Sequence, residues 1–77
     1  METPIELIDP KHLVFSQKEE LVICEKSLRG WQLLCIIKIQ YTVSDIFRIK
    51  SEEHSFLVIS KTRDKRMVLK YDLYSLL

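Results

Sequence analysis

A single glycine in 77 residues is the most restrictive fact about this sequence. Loops that cradle phosphate need several glycines so that backbone amides can converge on the anion, and neither such a loop nor a nucleophile elbow is present. Cysteine is almost as scarce. Cys24 and Cys35 are the two, His12 and His54 stand far from both, and four ligands at zinc spacing cannot be assembled. Long apolar runs are missing as well: the longest stretch without a charge, Gly30 to Ile37, falls far short of the roughly 18 residues a membrane-spanning helix needs. Met1-Glu2-Thr3-Pro4 has neither the basic start nor the apolar centre of a secretory leader. The expectation is a cytoplasmic or otherwise intracellular chain with reduced thiols. Nor is there an excess of one charge. Twelve Lys and Arg against 11 Asp and Glu give a net +1, which removes the simplest case for a nucleic-acid binder.

What is present is one domain over residues 1–77, 47% hydrophobic and 30% charged. At this size folding hides only about 60% of the surface that the unfolded chain exposes. Helical periodicity is rare, while alternation and β-branched or aromatic runs recur. Strands are expected at Ile5–Ile8, His12–Ser16, Glu20–Glu25, Trp31–Tyr41, Val43–Lys50, Ser55–Ser60 and Arg66–Asp72, followed by one helical turn with Asp72 as N-cap. The fold class is therefore mainly β, a small bent antiparallel sheet or partly open barrel of six to seven strands. Trp31–Tyr41 carries Trp31, Leu33, Cys35, Ile37, Ile39 and Tyr41 at its odd positions, and its length calls for a bend near Thr42 to Asp45. A tight turn at Arg29-Gly30 would set Cys24 opposite Cys35, both as buried thiols.

Hairpin geometry fixes the expected faces, because directly opposed residues point to the same side of a sheet. A four-residue loop at Ser51–His54 sets Ile49 against Phe56 and Phe47 against Val58. A second at Thr62–Lys65 sets Phe56 against Tyr71, Val58 against Leu69 and Ser60 against Met67. The core face then holds Phe47, Ile49, Phe56, Val58, Met67, Leu69 and Tyr71. The opposite face holds Ile46, Leu57, Ile59 and Val68 among Arg48, Lys50, Arg66 and Lys70. An apolar centre with a cationic rim asks for a cover, either a protein partner or a second copy of the chain.

The order Leu13-Val14-Phe15, Leu21-Val22-Ile23-Cys24-Glu25-Lys26, a long strand, Val43-Ser44-Asp45-Ile46-Phe47-Arg48-Ile49, Phe56-Leu57-Val58-Ile59 and Met67-Val68-Leu69 resembles pleckstrin-homology and GRAM-like modules. The resemblance spans most of the chain and implies bent antiparallel sheets of seven strands capped by a helix. Lipid-binding members hold phosphoinositides on a cation-rich first hairpin, and here only Lys11 and Lys18 stand in that region.

The sequence thus points to a non-catalytic interaction module, without metal or cofactor, using the mixed face or an open edge strand. The alternative is phosphate recognition by the hairpin tip carrying Lys61, Arg63, Lys65 and Arg66, with an anionic membrane surface a better match than nucleic acid because the tip lacks stacking aromatics. An enzyme reading would rest on His54 within Ser51-Glu52-Glu53-His54-Ser55. That composition is ordinary for a polar loop, and only a concave pocket beside it would change the reading.

Overall fold

The computed structural model describes residues 3–77, so Met1 and Glu2, half of the stretch read for a leader, lie outside the described residues. Seven strands are present: β1 (Ile5–Asp9), β2 (His12–Gln17), β3 (Glu20–Ser27), β4 (Gly30–Lys38), β5 (Val43–Arg48), β6 (Ser55–Lys61) and β7 (Arg66–Asp72), followed by the short helix α1 (Leu73–Leu76). They form two antiparallel sheets rather than one, β1-β2-β3-β4 and β5-β6-β7, which do not close into a barrel. No helix among the described residues is long and apolar enough to cross a membrane.

The chain divides at Ile39–Thr42, where β4 ends three residues earlier than the sequence pattern suggested. Ile39 is buried there and its amide donates to the Glu19 carbonyl at 2.8 Å. One core joins the two sheets. Ile8, Val14, Leu21 and Ile23 from the first meet Val43, Ile46, Phe56 and Val58 from the second, with Leu73 of α1 against them. The sheets approach along β1 and β5. On the other side, Cys35 and Ile37 of β4 and Leu69 and Tyr71 of β7 are only partly buried. Asp72 caps α1 by accepting from the Tyr74 amide at 2.9 Å, and this drives Leu73 inward.

The β6–β7 hairpin has the expected register: Phe56 opposes Tyr71, Val58 opposes Leu69, and Ser60 opposes Met67 around the Thr62–Lys65 loop. Phe56 and Tyr71 stack with ring centroids 5.7 Å apart. The β5–β6 hairpin is displaced by one residue. The Ile49 amide donates to the Ser55 carbonyl, so the loop holds five residues, Lys50–His54, and His54 takes a left-handed φ of +67° to close it. Ile46 therefore opposes Val58, and Phe47 opposes Leu57. Phe47, expected in the core, is 49% exposed, while Ile46, expected outside, is buried at 5%. A bulge between Val43 and Asp45, with the Ser44 hydroxyl donating to the Ile59 carbonyl, lets Val43 and Ile46 face inward despite their spacing of three.

Cys24 and Cys35 are both free and half-buried, and they do not oppose each other. The turn uses Leu28-Arg29, with Gly30 at φ +110°, and a register shift on β4 places Cys24 against Leu33 and Cys35 against Ile23. The two thiols consequently point to opposite sides of the sheet. Phe56→Ala should cost about 3–5 kcal/mol and Ile46→Ala about 2–5 kcal/mol in chemical denaturation, whereas Phe47→Ala should cost well under either. A larger loss at Phe47 than at Ile46 would contradict the five-residue loop.

Candidate functional site

Core packing occupies one side of the β1–β4 sheet, and the other side is apolar from edge to edge. Ile5, Phe15, Val22 and Ile36 form one cross-strand row, and Leu7, Leu13, Cys24 and Leu33 form the next, each row crossing all four strands. Trp31 extends the second row along β4. Ile5 is 59% exposed, Leu33 62%, Ile36 51% and Trp31 44%. Alternation along β1 sets Leu7 outside and Ile8 inside, and the pairing then shifts so that Asp9 opposes buried His12. On β4 the pairing skips Leu34, so Trp31 and Leu33 lie outside while Cys35 and Ile37 turn in. The sequence read the odd positions of β4 as a single face. One extra residue splits them between two.

β4 also forms an edge of its sheet, pairing with β3 alone. It runs nine residues with a single charge, Lys38, whereas the β7 edge strand carries Arg66, Lys70 and Asp72. Charges on an edge discourage strand addition, and β4 has little of that protection.

The face expected from the sequence is divided by the displaced hairpin. Ile46 is in the core; Leu57 and Ile59 still point outward but are half-buried and buried, and Val68 is 58% exposed. Arg48 opposes Phe56 and so moves to the inner phase, where it lines a cleft with Lys50. Lys70 is held by Glu52 at 2.6 Å. Arg66 opposes Lys61 at the base of the tip, and Lys61, Arg63, Lys65 and Arg66 are all exposed there, around a turn closed by Thr62 and Lys65. The length of the β5–β6 loop was the missing signal. Nothing in Ser51-Glu52-Glu53-His54-Ser55 advertises a left-handed histidine, since glycine is the usual residue at that conformation.

The cleft, about 440 Å³, lies where the two sheets meet and is lined in part by Asp9, Lys11, His12, Arg48, Lys50, His54 and Tyr74. At its floor, His12 Nδ1 and His54 Nδ1 both donate to the Asp9 carboxylate, at 2.9 and 2.7 Å, and the Lys11 amide donates to it at 2.7 Å. The Tyr74 hydroxyl lies 3.4 Å from His54 Nε2. Asp9 and His12 belong to the first sheet, and His54 to the second. Their carboxylate bridge fastens the two, and the amide of Leu73 adds a bond to the His54 carbonyl at 2.7 Å. Burial works to raise the Asp9 pKa, but the Lys11 amide and the two imidazoles outweigh it and hold the carboxyl below its ordinary value. A pocket beside His54 is thus present, with its polar groups turned on one another: the carboxylate is occupied by three donors, and the free ring nitrogen of His54 faces Tyr74. Among the described residues no group of three or more His, Cys, Asp or Glu side chains is arranged so that it could hold a metal ion. Burial also pushes the Cys35 thiol up, away from the reactive thiolate.

The chain matches no protein-family model, no curated protein and no solved structure.

Because the folded carboxyl titrates below the unfolded one, the contribution of Asp9 to stability is complete above the ordinary carboxylate range and is lost as pH falls through the lowered value. Asp9→Asn should lower stability at neutral pH by about 1–3 kcal/mol and flatten the acid limb of the stability profile. Urea unfolding across acid and neutral pH checks this. An unchanged acid limb would show that the bridge does not fasten the sheets.

Proposed function

We propose that this chain is a non-catalytic protein-interaction module and that its contact surface is the outer face of β1–β4 together with the free edge of β4. The observation that carries the proposal is the double row of apolar side chains crossing four strands. Monomeric proteins scatter their exposed apolar residues; here exposed Ile5 and Leu7 on β1 and Leu33 and Ile36 on β4 are joined in register through half-buried Leu13, Phe15 and Cys24 and buried Val22. Strands spaced about 4.8 Å apart, with rows spanning most of β4, give a flat footprint of about 400 Å². Its corrugated accessible surface is larger, and so approaches the roughly 500 Å² per partner of the smallest specific interfaces. The internal satisfaction of the Asp9 cluster favours a structural over a catalytic role for it.

The same proposal moves the contact surface from the face of the C-terminal strands, where Ile46 is interior, to the N-terminal sheet. Outward Phe47, Leu57 and Val68 leave a smaller apolar strip there, interrupted by Asp45 and Lys70. Kinship with pleckstrin-homology and GRAM-like modules, proposed on hydrophobic order, adds no lipid site to it. Anionic-surface binding through Lys61, Arg63, Lys65 and Arg66 is the competing outcome.

Ile36→Asp places a charge at the β4 end of the first apolar row, beside the free edge, and should weaken partner binding about a hundredfold or more, since an unpaired charge in an apolar contact costs several kcal/mol. Reversal of Lys61 and Lys65 to Glu should leave binding nearly unchanged. Affinity capture at low and moderate salt, paired with sedimentation on phosphatidylserine vesicles, separates the readings. Retention of partners by Ile36→Asp would overturn the proposed surface, and salt-sensitive vesicle binding lost only in the tip variant would replace it with phosphate recognition.

A further inference from the structure

We infer that the outer face of β1–β4 is built to receive a second copy of the same face, stacked about a twofold axis that lies in the plane between the sheets and crosses the strands. The inference rests on the interaction reading above and names its partner. The outward residues of each strand are symmetric about one cross-strand row. Glu6 opposes Val14, Val14 opposes Ile23, and Ile23 opposes Cys35 beside the skipped Leu34. Outward residues flank that row evenly: Ile5 and Leu7, Leu13 and Phe15, Val22 and Cys24, Leu33 and Ile36.

A twofold axis along the row exchanges the two members of each pair, so Leu33 lies over the second copy's Ile36 and Val22 over its Cys24. Each of these eight residues then meets an apolar one. The ends of the face complete the match. Three residues to either side of the row on β3 stand Glu20 and Lys26, which oppose Lys38 and Trp31 of β4. The same axis brings Glu20 over the second copy's Lys26 and Lys38 over its Trp31, an ion pair and a cation–aromatic contact, each made twice. Turning the axis parallel to the strands loses both pairings, because it carries Glu20 towards Gln17 and leaves Lys26 unmatched. Sheets stacked in this way lie about 10 Å apart, each strand running antiparallel over its own copy, and each copy's core side stays turned outward from the contact. A net charge of +1 opposes such pairing only weakly.

The test is sedimentation equilibrium of the full chain with a complementation arm. The wild type should run at twice its 9.2 kDa mass and Ile36→Asp at the single mass with an unchanged circular dichroism spectrum. Glu20→Lys and Lys26→Glu should each weaken the dimer about tenfold, because each sets like charges together. An equimolar mixture of the two should restore it, since both contacts become opposite in sign. Alkylation of Cys24, followed by peptide mapping, should slow with rising protein concentration while that of Cys35 does not. A monomeric wild type overturns the inference, and if Ile36→Asp still loses a captured protein, the interaction reading survives without it. A dimer whose charge variants fail to complement, or whose Cys24 stays equally reactive at all concentrations, assembles by another surface and overturns the stated axis.

Discussion

Side chains on a strand alternate between two faces, so one additional residue exchanges everything beyond it between inside and outside. This constraint governs the molecule. The bulge at the end of β1 sets Asp9 opposite His12, the skipped Leu34 turns Cys35 and Ile37 inward, the bulge after Val43 keeps Val43 and Ile46 on one side, and the left-handed His54 sets the phase of all of β5. With strict alternation throughout, Trp31, Leu33, Cys35 and Ile37 would form one face, and the outer surface of the first sheet would carry Leu34 and Gln32 in place of Leu33 and Trp31. The division between core and contact surface is decided by single residues.

The two sheets meet along β1 and β5, and their join is polar as well as apolar. Asp9 stands at the end of β1 beside the β1–β2 turn, and His54 closes the β5–β6 loop. The carboxylate that fastens the sheets therefore also holds the backbone conformation that sets the β5 register. A left-handed histidine is costly unless its surroundings hold it in place, and here both its ring and its carbonyl are held, by Asp9 and by the Leu73 amide. The position of β5 and the placing of Ile46 in the core follow from that arrangement.

The parts of the fold that follow from local chemistry were legible in the sequence. All seven strands and the Asp72 cap occur where alternation and capping preferences call for them, although β4 ends three residues early at Lys38 and β5 two residues early at Arg48, and the four-residue Thr62–Lys65 loop gives the β6–β7 register without correction. The contact surface was less legible because it depends on phase. Leu13, Phe15, Val22 and Cys24 each sit beside an equally apolar inward neighbour, so the central segments of β2 and β3, Leu13 to Phe15 and Leu21 to Cys24, present no polar position from which an outside could be recognised. On β4 the uninterrupted alternation of Trp31 to Tyr41 conceals the bulge. The cleft brings together residues 45 positions apart, and no local pattern pairs Asp9 with His54.

The skipped Leu34 has one more consequence. A molecule with two unlike free edges, β4 of one sheet and β7 of the other, can in principle grow head to tail, each copy offering an edge to the next, and such growth has no closing symmetry and ends in filaments. Continuation along β4 requires an even ladder of backbone groups, and the bulge breaks that ladder near the middle of the strand. Face-to-face stacking needs no such ladder and is complete at two copies. The irregularity that turns Leu33 outward thereby favours a closed assembly over an endless one.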